Sequence, residues 1–253
     1  MLDLLTWPTP HRWMMAFTSG ALIYGLRYLV FAGLAGSVAR PTQGGGIGRP
    51  HVNAPATLDL FANVRRELAY SAVTVLAFGF INAVLIGTHL IHSTRLYYRI
   101  DAYPLWWFWL SIVVMLLLHD TLFYWMHRAM HTRALYRAMH RVHHRSIYPT
   151  AFAAYSFQPA EAAGEALIVV AIIFLVPSHP LAFVIFQTLS TAYNVYGHCG
   201  REFYPRRCAS HPILRWLNTS TAHAEHHAHG RHNFGLYFLF WDRAMGTLDP
   251  AYR

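Results

Sequence analysis

The chain has 253 residues, of which 55% are hydrophobic and only 12% are charged. An ordinary soluble domain carries about 25% charged residues, so this composition disfavours a soluble enzyme. The formal net charge is +9 and every basic residue is arginine. Because the arginines lie in loops beside apolar runs, we interpret them as flanks of membrane helices that contact anionic lipid headgroups, not as a nucleic-acid surface.

Four apolar regions predict an all-α integral membrane bundle with about four transmembrane segments. The first region, Met14–Val38, has Arg27 near its middle, so this side chain must snorkel or face protein if the segment spans. The second, Ala69–Ile91, has no charge and is long enough to cross a bilayer. The third, Tyr103–Leu118, opens with a tryptophan-rich cluster that suits the headgroup level.

The fourth region, Ala166–Gly197, is broken by Pro177–Pro180 and is about one and a half spans long. We predict a helical hairpin, crossing the membrane fully or only in part, that returns to the cytoplasm before His198, because the histidine-rich segments on its two sides must meet at one site. The arginines of the glycine-rich linker Arg40–Glu67, and those after the third span, place the linker and the histidines in the cytoplasm. Cys199 and Cys208 are expected to be free thiols.

Eighteen histidines include three groups at metal-ligand spacing: the HxxxH pattern His127–His131 and the HxxHH patterns His140–His144 and His223–His227. Residues four apart share a helical face, so His127 and His131 can reach one metal. In HxxHH, the first two histidines share a face, while the last is rotated by about 100° and reaches a second metal or closes the first from another side. Eight imidazoles predict two metal ions with about four nitrogens each. Imidazole suits zinc, iron, copper and nickel.

Residues 119–247 resemble the fatty acid hydroxylase/sterol desaturase superfamily. The resemblance is carried by Asp120–His131, His140–His144, Tyr148–Tyr155, Pro159–Glu161, Tyr196–Gly200, His223–His227 and Asn233–Thr247. It adds His198 as a ninth metal ligand. It also implies two iron ions, O2 as co-substrate, an oxidised lipid as product, and electrons from an external reductase, ferredoxin or cytochrome. Zinc can occupy such a site in a purified sample.

The resemblance also implies a division of the chain. Residues 1–103 would form N-terminal membrane segments and a cytosolic linker, and residues 104–253 a fatty acid hydroxylase-like catalytic domain with its core at 119–247. The expected architecture is a membrane bundle capped by a cytosolic, histidine-rich, helical di-metal domain.

Several residues beside the histidines carry separate expectations. Asp120 is expected to accept a hydrogen bond from a ligand imidazole, and His119 to line the site or support a ligand. Asn233 is expected in the turn after the last histidine group. Glu202 stands where some members of the family have a histidine; it could bind metal, orient an imidazole, or be a solvated loop acid. Gln158 stands where the family often has a histidine, and Ala222 where several members have one.

The resulting hypothesis is a membrane di-iron oxygenase that hydroxylates an unactivated C–H bond of a sterol, fatty acyl, sphingoid or carotenoid lipid. Within the same family, the alternative is a lipid desaturase. Outside it, the alternatives are a zinc- or copper-binding membrane protein without oxygen chemistry, and a headgroup or nucleic-acid binder. The last leaves the histidine spacing unexplained.

Overall fold

The computed structural model describes residues 9–39, 49–50, 59–205 and 211–250. Five long helices are α1 (Thr9–Ala39), α2 (Leu60–Gly87), α3 (Leu105–Met130), α4 (Pro159–Leu175) and α5 (Pro180–His198). Two short ones are α6 (Ser220–His229) and α7 (Phe240–Ala244), and β1 (Arg49–Pro50) pairs antiparallel with β2 (Arg201–Glu202). This confirms the all-α membrane bundle. The glycine-rich linker at 40–48 and 51–58, and Cys208, lie outside the described residues.

Helices α1, α2 and α3 are long and apolar enough to cross a membrane. Helix α2 begins nine residues before the predicted span, because the Asp59 carboxylate accepts a hydrogen bond from the Ala62 N–H at 3.0 Å and caps the helix. Helix α3 continues beyond Leu118 to Met130. The first histidine pattern therefore extends directly from a membrane helix.

The fourth apolar region is a hairpin of α4 and α5, as predicted. Its tip reaches the loop between α2 and α3: the N–H of Arg95 donates to the Ile173 carbonyl at 2.9 Å, and the N–H of Tyr97 to the Ser178 carbonyl at 3.1 Å. The indole N–H of Trp107 donates to the Pro177 carbonyl at 2.9 Å. The tip of the hairpin therefore lies beside the α2–α3 loop, and how far the hairpin crosses the membrane stays a prediction.

The bundle has two distinct ends. At one end, Arg12 donates to the Gly87 carbonyl at 3.3 Å, beside the hairpin tip and the α2–α3 loop. We call this the distal end. The segments that follow α3 and α5 meet at the other end, which we call the histidine end. The chain between the patterns His140–His144 and His223–His227 thus leaves the histidine end and returns to it.

Arg27 does not interrupt α1. Its guanidinium lies 4.9 Å from the ring centre of Tyr24, and its Nε and Nη2 atoms are shielded from solvent. The side chain therefore faces protein, which is one of the two alternatives for a charge at this depth.

Helices α1 and α2 pack on α5 and α4, respectively. The division of the chain between residues 103 and 104 stays a prediction.

Candidate metal centre

Four segments of the histidine end carry the nine candidate ligands. They are the C-terminus of α3 (His127, His131), two short turns that follow it (His140, His143, His144), the end of α5 (His198) and helix α6 (His223, His226, His227). Eight of these side chains are buried and His131 is half-buried. The structure thus brings together every histidine singled out from the sequence, while their role as ligands stays a prediction.

The nine imidazoles form two groups. The five-histidine group contains His127, His131, His140, His144 and His226. The four-histidine group contains His143, His198, His223 and His227. Within each group, one ring nitrogen from every histidine lies within 4.8 Å of the others. Two groups of five and four agree with the expectation of about four nitrogens for each of two ions.

The HxxHH patterns divide between the groups differently from the expectation. His223 and His227 lie in the four-histidine group and His226 in the other; likewise His140 and His144 lie together, apart from His143. On an α-helix, residues four apart differ by about 40° around the axis and residues three apart by about 60°. The first and last histidines of α6 therefore share a face, and the middle one serves the other group. The expected pairing of the first two histidines of each HxxHH pattern is therefore wrong.

In three of the histidines, a hydrogen bond fixes the Nδ1 atom, which we call the outer ring nitrogen; the Nε2 atom is the inner one. Three Nδ1 atoms lie 2.6–2.8 Å from backbone carbonyl oxygens: His127 to Phe234, His198 to Asn194, and His226 to His232. A carbonyl oxygen only accepts, so Nδ1 carries the proton and Nε2 is the unprotonated nitrogen. This arrangement orients a histidine for metal binding through Nε2.

The inner nitrogens fit a bound transition metal. The Nε2 atoms of His131, His144 and His226 are buried and have no hydrogen-bond partner within the described part of the chain. The Nε2 atoms of His127 and His140 lie 3.0 Å apart, as do those of His198 and His223. Two nitrogens that each bind one metal at about 2.1 Å can be no more than about 4.2 Å apart, so these pairs are close enough to share an ion. The donor set and spacing therefore suit metals that prefer imidazole.

Burial keeps these imidazoles neutral. It lowers the pKa of His144 to about 4. It also lowers the pKa of His140, His143, His226 and His227 well below the usual value, and neighbouring histidines lower them further. A neutral imidazole has a free lone pair, so the group can bind a cation near neutral pH without first releasing a proton.

Glu161 supports a candidate ligand. Its Oε1 atom lies 2.7 Å from Nδ1 of His140, and the two side chains are 1% and 2% exposed. Sequence reasoning did not include Glu161 among the site residues, although the Pro159–Glu161 motif contained it. A carboxylate that accepts from the outer nitrogen of a ligand fixes the ring and makes it more basic.

Asp120 has a different role from the one expected. Its Oδ1 atom accepts hydrogen bonds from the backbone N–H groups of Leu236, Tyr237 and Phe238 at 2.6–3.2 Å, not from an imidazole. The carboxylate is fully buried. It therefore fixes the terminal segment against α3, and the support of a ligand ring passes to Glu161.

His119 and Asn233 flank the histidine groups. His119 is buried two turns before His127, and its Nδ1 lies 2.8 Å from the Tyr237 hydroxyl. It contacts the Phe123 and Phe186 rings and thus lines the apolar interior beneath the site. Asn233 has the left-handed backbone angle φ = 58°, and its Nδ2 donates to the Ala222 carbonyl at 3.0 Å. It forms the turn after α6, as expected.

Glu202 belongs to neither histidine group. Its Oε1 accepts from the Tyr196 hydroxyl and the Tyr204 N–H, and its Oε2 from the N–H and hydroxyl of Thr221. Although burial opposes it, these hydrogen bonds lower the pKa of Glu202. The described contacts support none of the three expected roles: the carboxylate joins the end of α5 to the start of α6.

Gln158 and Ala222 make structural contacts. The Gln158 side chain accepts from the Val142 N–H at 3.1 Å and donates to the carbonyls of Arg137 and Ala138. It thereby fixes the turns that carry His140–His144. Ala222 is fully buried and accepts from Asn233 through its carbonyl.

The segment after the second histidine pattern is also tied to α2. The fully buried Glu67 carboxylate accepts from the Ser146 hydroxyl at 2.7 Å and the Thr150 hydroxyl at 2.5 Å. Asn63 donates to the same carboxylate at 3.0 Å. Helix α2 therefore helps to position the candidate metal centre, and no local sequence signal pointed to this contact.

Comparison with known proteins identifies the family of the chain. The sequence model of the fatty acid hydroxylase family matches residues 112–247, which is more than half of the chain, so the protein belongs to this family. The chain is 30% identical over 187 residues to mouse lathosterol oxidase, covering 73% of this chain and 60% of that protein. Human lathosterol oxidase is also 30% identical, over 190 residues, with the same two coverages.

A fungal relative matches a smaller part of this chain. The Delta(7)-sterol 5(6)-desaturase of Leptosphaeria maculans is 30% identical over 142 residues, which cover 56% of this chain and 38% of that protein. The chain thus spans about 60% of the length of the mammalian relatives and less of the fungal one. No solved structure matches the chain.

Proposed function

We propose that the protein is a membrane oxidase that binds two iron ions in its two histidine groups and oxidises a C–H bond of a sterol-like lipid. The observation that carries this proposal is the pair of buried imidazole groups at one end of a membrane bundle. When bound, iron supplies the activation of molecular oxygen that an unactivated C–H bond requires. Electrons would come from an external reductase, ferredoxin or cytochrome.

The protein's own residues prepare this chemistry. Carbonyl oxygens and Glu161 orient the outer ring nitrogens. Burial of the imidazoles excludes water. The interior next to the five-histidine group is apolar: the ring of Phe123 lies 5.0 Å from that of His127 and beside His119. A lipid chain or ring placed there would present a carbon to the metals, with His119 and Tyr237 as polar neighbours.

Desaturation is the first candidate reaction, because the similar proteins bear the names of sterol oxidases and desaturases. Hydroxylation is the second candidate, because the family model that matches is that of fatty acid hydroxylases. Both begin with removal of a hydrogen from the substrate. Mass spectrometry of sterols from an expressing host distinguishes loss of two hydrogens from gain of one oxygen.

We also propose that the histidine end faces the cytoplasm. Four exposed arginines follow α3 at that end: Arg133, Arg137, Arg141 and Arg145. Positive side chains beside membrane helices favour the cytoplasmic side. Reporters fused after residues 148 and 212 should both report cytoplasm. Reporters on opposite sides of the membrane would contradict the topology.

The enzyme assignment is tested by His143→Ala and His226→Ala, one from each histidine group. Each variant should insert into the membrane, lose metal and lose sterol oxidation. Thr132→Ala, an exposed position beside His131, is the matched control and should keep both. Full oxidation of sterol by either histidine variant would refute the assignment. Stoichiometric zinc or copper without oxygen consumption would favour the non-catalytic alternative.

A further inference from the structure

A cavity of about 100 Å³ lies inside the bundle, between α1, α2, α4 and α5 and toward the distal end. Its walls are mostly apolar and include Phe78, Leu85, Val169, Ile173 and Phe183. Three polar side chains also line it: Tyr24, Asn82 and Gln187. The cavity is therefore an apolar space with a few polar groups, the usual form of a small-molecule site.

Gln187 is the polar side chain that needs a partner. It is 6% exposed, and its Nε2 atom has no hydrogen-bond partner within the described residues. By contrast, Nδ2 of Asn82 donates to the Ala16 carbonyl at 2.7 Å. Buried polar groups are nearly always paired in native proteins. A ligand with an acceptor oxygen in the cavity would pair the Gln187 amide.

The cavity is separate from the metal centre. Gln187 and His198 lie on α5, eleven residues apart, which corresponds to about 16 Å along the helix axis. A cluster of buried side chains, including Tyr28, Tyr155 and Val195, packs at the histidine end of this interval. The cavity therefore lies in the half of the membrane-spanning bundle opposite the histidines, where lipids of the other leaflet are the available ligands.

The size of the cavity restricts that ligand. A cavity of about 150 Å³ accepts benzene, so about 100 Å³ accepts only the narrow end of a lipid. An ester carbonyl carries chains on both sides and does not end its molecule. The hydroxyl of a lipid alcohol does. We propose that this cavity is a second lipid site, distinct from the reaction site, which binds the hydroxyl end of a membrane alcohol such as a sterol, with the Gln187 amide donating to the hydroxyl oxygen.

The test uses the full chain in detergent and two probes that differ only in the hydroxyl group, cholestanol and 5α-cholestane. Cholestanol should raise the midpoint of thermal unfolding by about 5 °C at saturation, because a ligand that binds only the folded state stabilises it. Cholestane should produce a much smaller shift. A cholestanol carrying a photoreactive group on its ring should label peptides from residues 166–173 and 183–187.

Gln187→Leu keeps the volume and removes the donor, so it should reduce the cholestanol shift to about 1 °C or less and the labelling at least about fivefold. Thr188→Val is the matched control, since the Thr188 hydroxyl bonds to the Val184 carbonyl and does not line the cavity. If Gln187→Leu fails to fold, Val170→Trp takes its place in the test: the indole ring fills the cavity and should abolish labelling.

Three results would overturn the proposal: equal stabilisation by cholestane, an unchanged shift in Gln187→Leu, or labelling confined to peptides that contain His198 or His223. The last result would place the sterol at the metal centre. None of these measurements needs turnover, so failure of the oxidase assignment and failure of this site can be told apart.

Discussion

Removal of the Glu161 carboxylate should weaken metal binding through His140. The Oε1–Nδ1 distance is 2.7 Å and both groups are almost fully buried, so this is a hydrogen bond in a low-dielectric interior. Outer partners of ligand histidines typically change metal affinity by about 10- to 100-fold. Glu161→Gln keeps an acceptor but removes the charge, so we expect about a tenfold loss, or about 1.4 kcal/mol.

Glu161→Ala should have the larger effect. It leaves the Nδ1–H of His140 buried without an acceptor, so we expect about a 100-fold loss of affinity, or about 2.7 kcal/mol. The assay is competition between the purified protein and a chelator of known affinity for Fe²⁺. Glu165→Gln is the matched control, because Glu165 is a buried acid one turn further along α4 with no described contact to a histidine.

Two results would refute this reasoning. The first is wild-type affinity in Glu161→Ala. The second is an equal loss in Glu165→Gln, which would show that burial of any acid in α4, and not the contact with His140, controls the affinity.

Four further predictions follow from the same geometry. His223→Ala should reduce bound metal from about two ions to about one, measured by elemental analysis, since it removes one of four candidate ligands; two retained ions would contradict the grouping. Asp120→Ala should lower the unfolding free energy by about 3 kcal/mol, measured by denaturant titration, because three buried N–H groups lose their acceptor, and Asp120→Asn should cost less. Because the folded-state pKa of Glu202 is lowered, its carboxylate stabilises the protein above about pH 4.5 and the effect is lost as the pH falls; Glu202→Gln should therefore lose stability at pH 7 and show a shallower decline in acid, and identical pH curves would refute this. Because burial lowers the pKa of His144 to about 4, metal affinity should change little between pH 8 and pH 6; a steep loss near pH 6.5 would indicate solvated ligands.

The sequence allowed the ligand candidates to be found because their spacing is a local property. His127 and His131 are one helical turn apart, and three such groups are difficult to explain without a metal. The hairpin was equally local, since a proline-rich break in an apolar region ends one helix and starts another. The contact of the hairpin tip with the α2–α3 loop could not be predicted from local sequence, because the two segments lie more than seventy residues apart along the chain.

The contacts that support the histidines could not be predicted from local spacing in the sequence. Asp120 shares a helical face with His127, which favoured a bond between them, yet its carboxylate is taken by backbone groups about 116 residues further on. The Glu161–His140 contact joins an α-helix to a turn of different geometry, so helical spacing does not reveal it. Assigning the HxxHH histidines to the two groups requires the angles around the α6 axis. The first and last histidines differ by about 40°, and the first and middle ones by about 60°.

The proposed function requires oxygen-dependent oxidation of a sterol by the iron-loaded protein. The decisive measurement is mass spectrometry of sterols incubated with the purified, iron-loaded chain, a chemical reductant and O2. We predict a sterol that has lost two hydrogens or gained one oxygen, with no product under nitrogen or with the zinc-loaded protein. Unchanged sterols in the presence of two bound iron ions and O2 would contradict the proposed function.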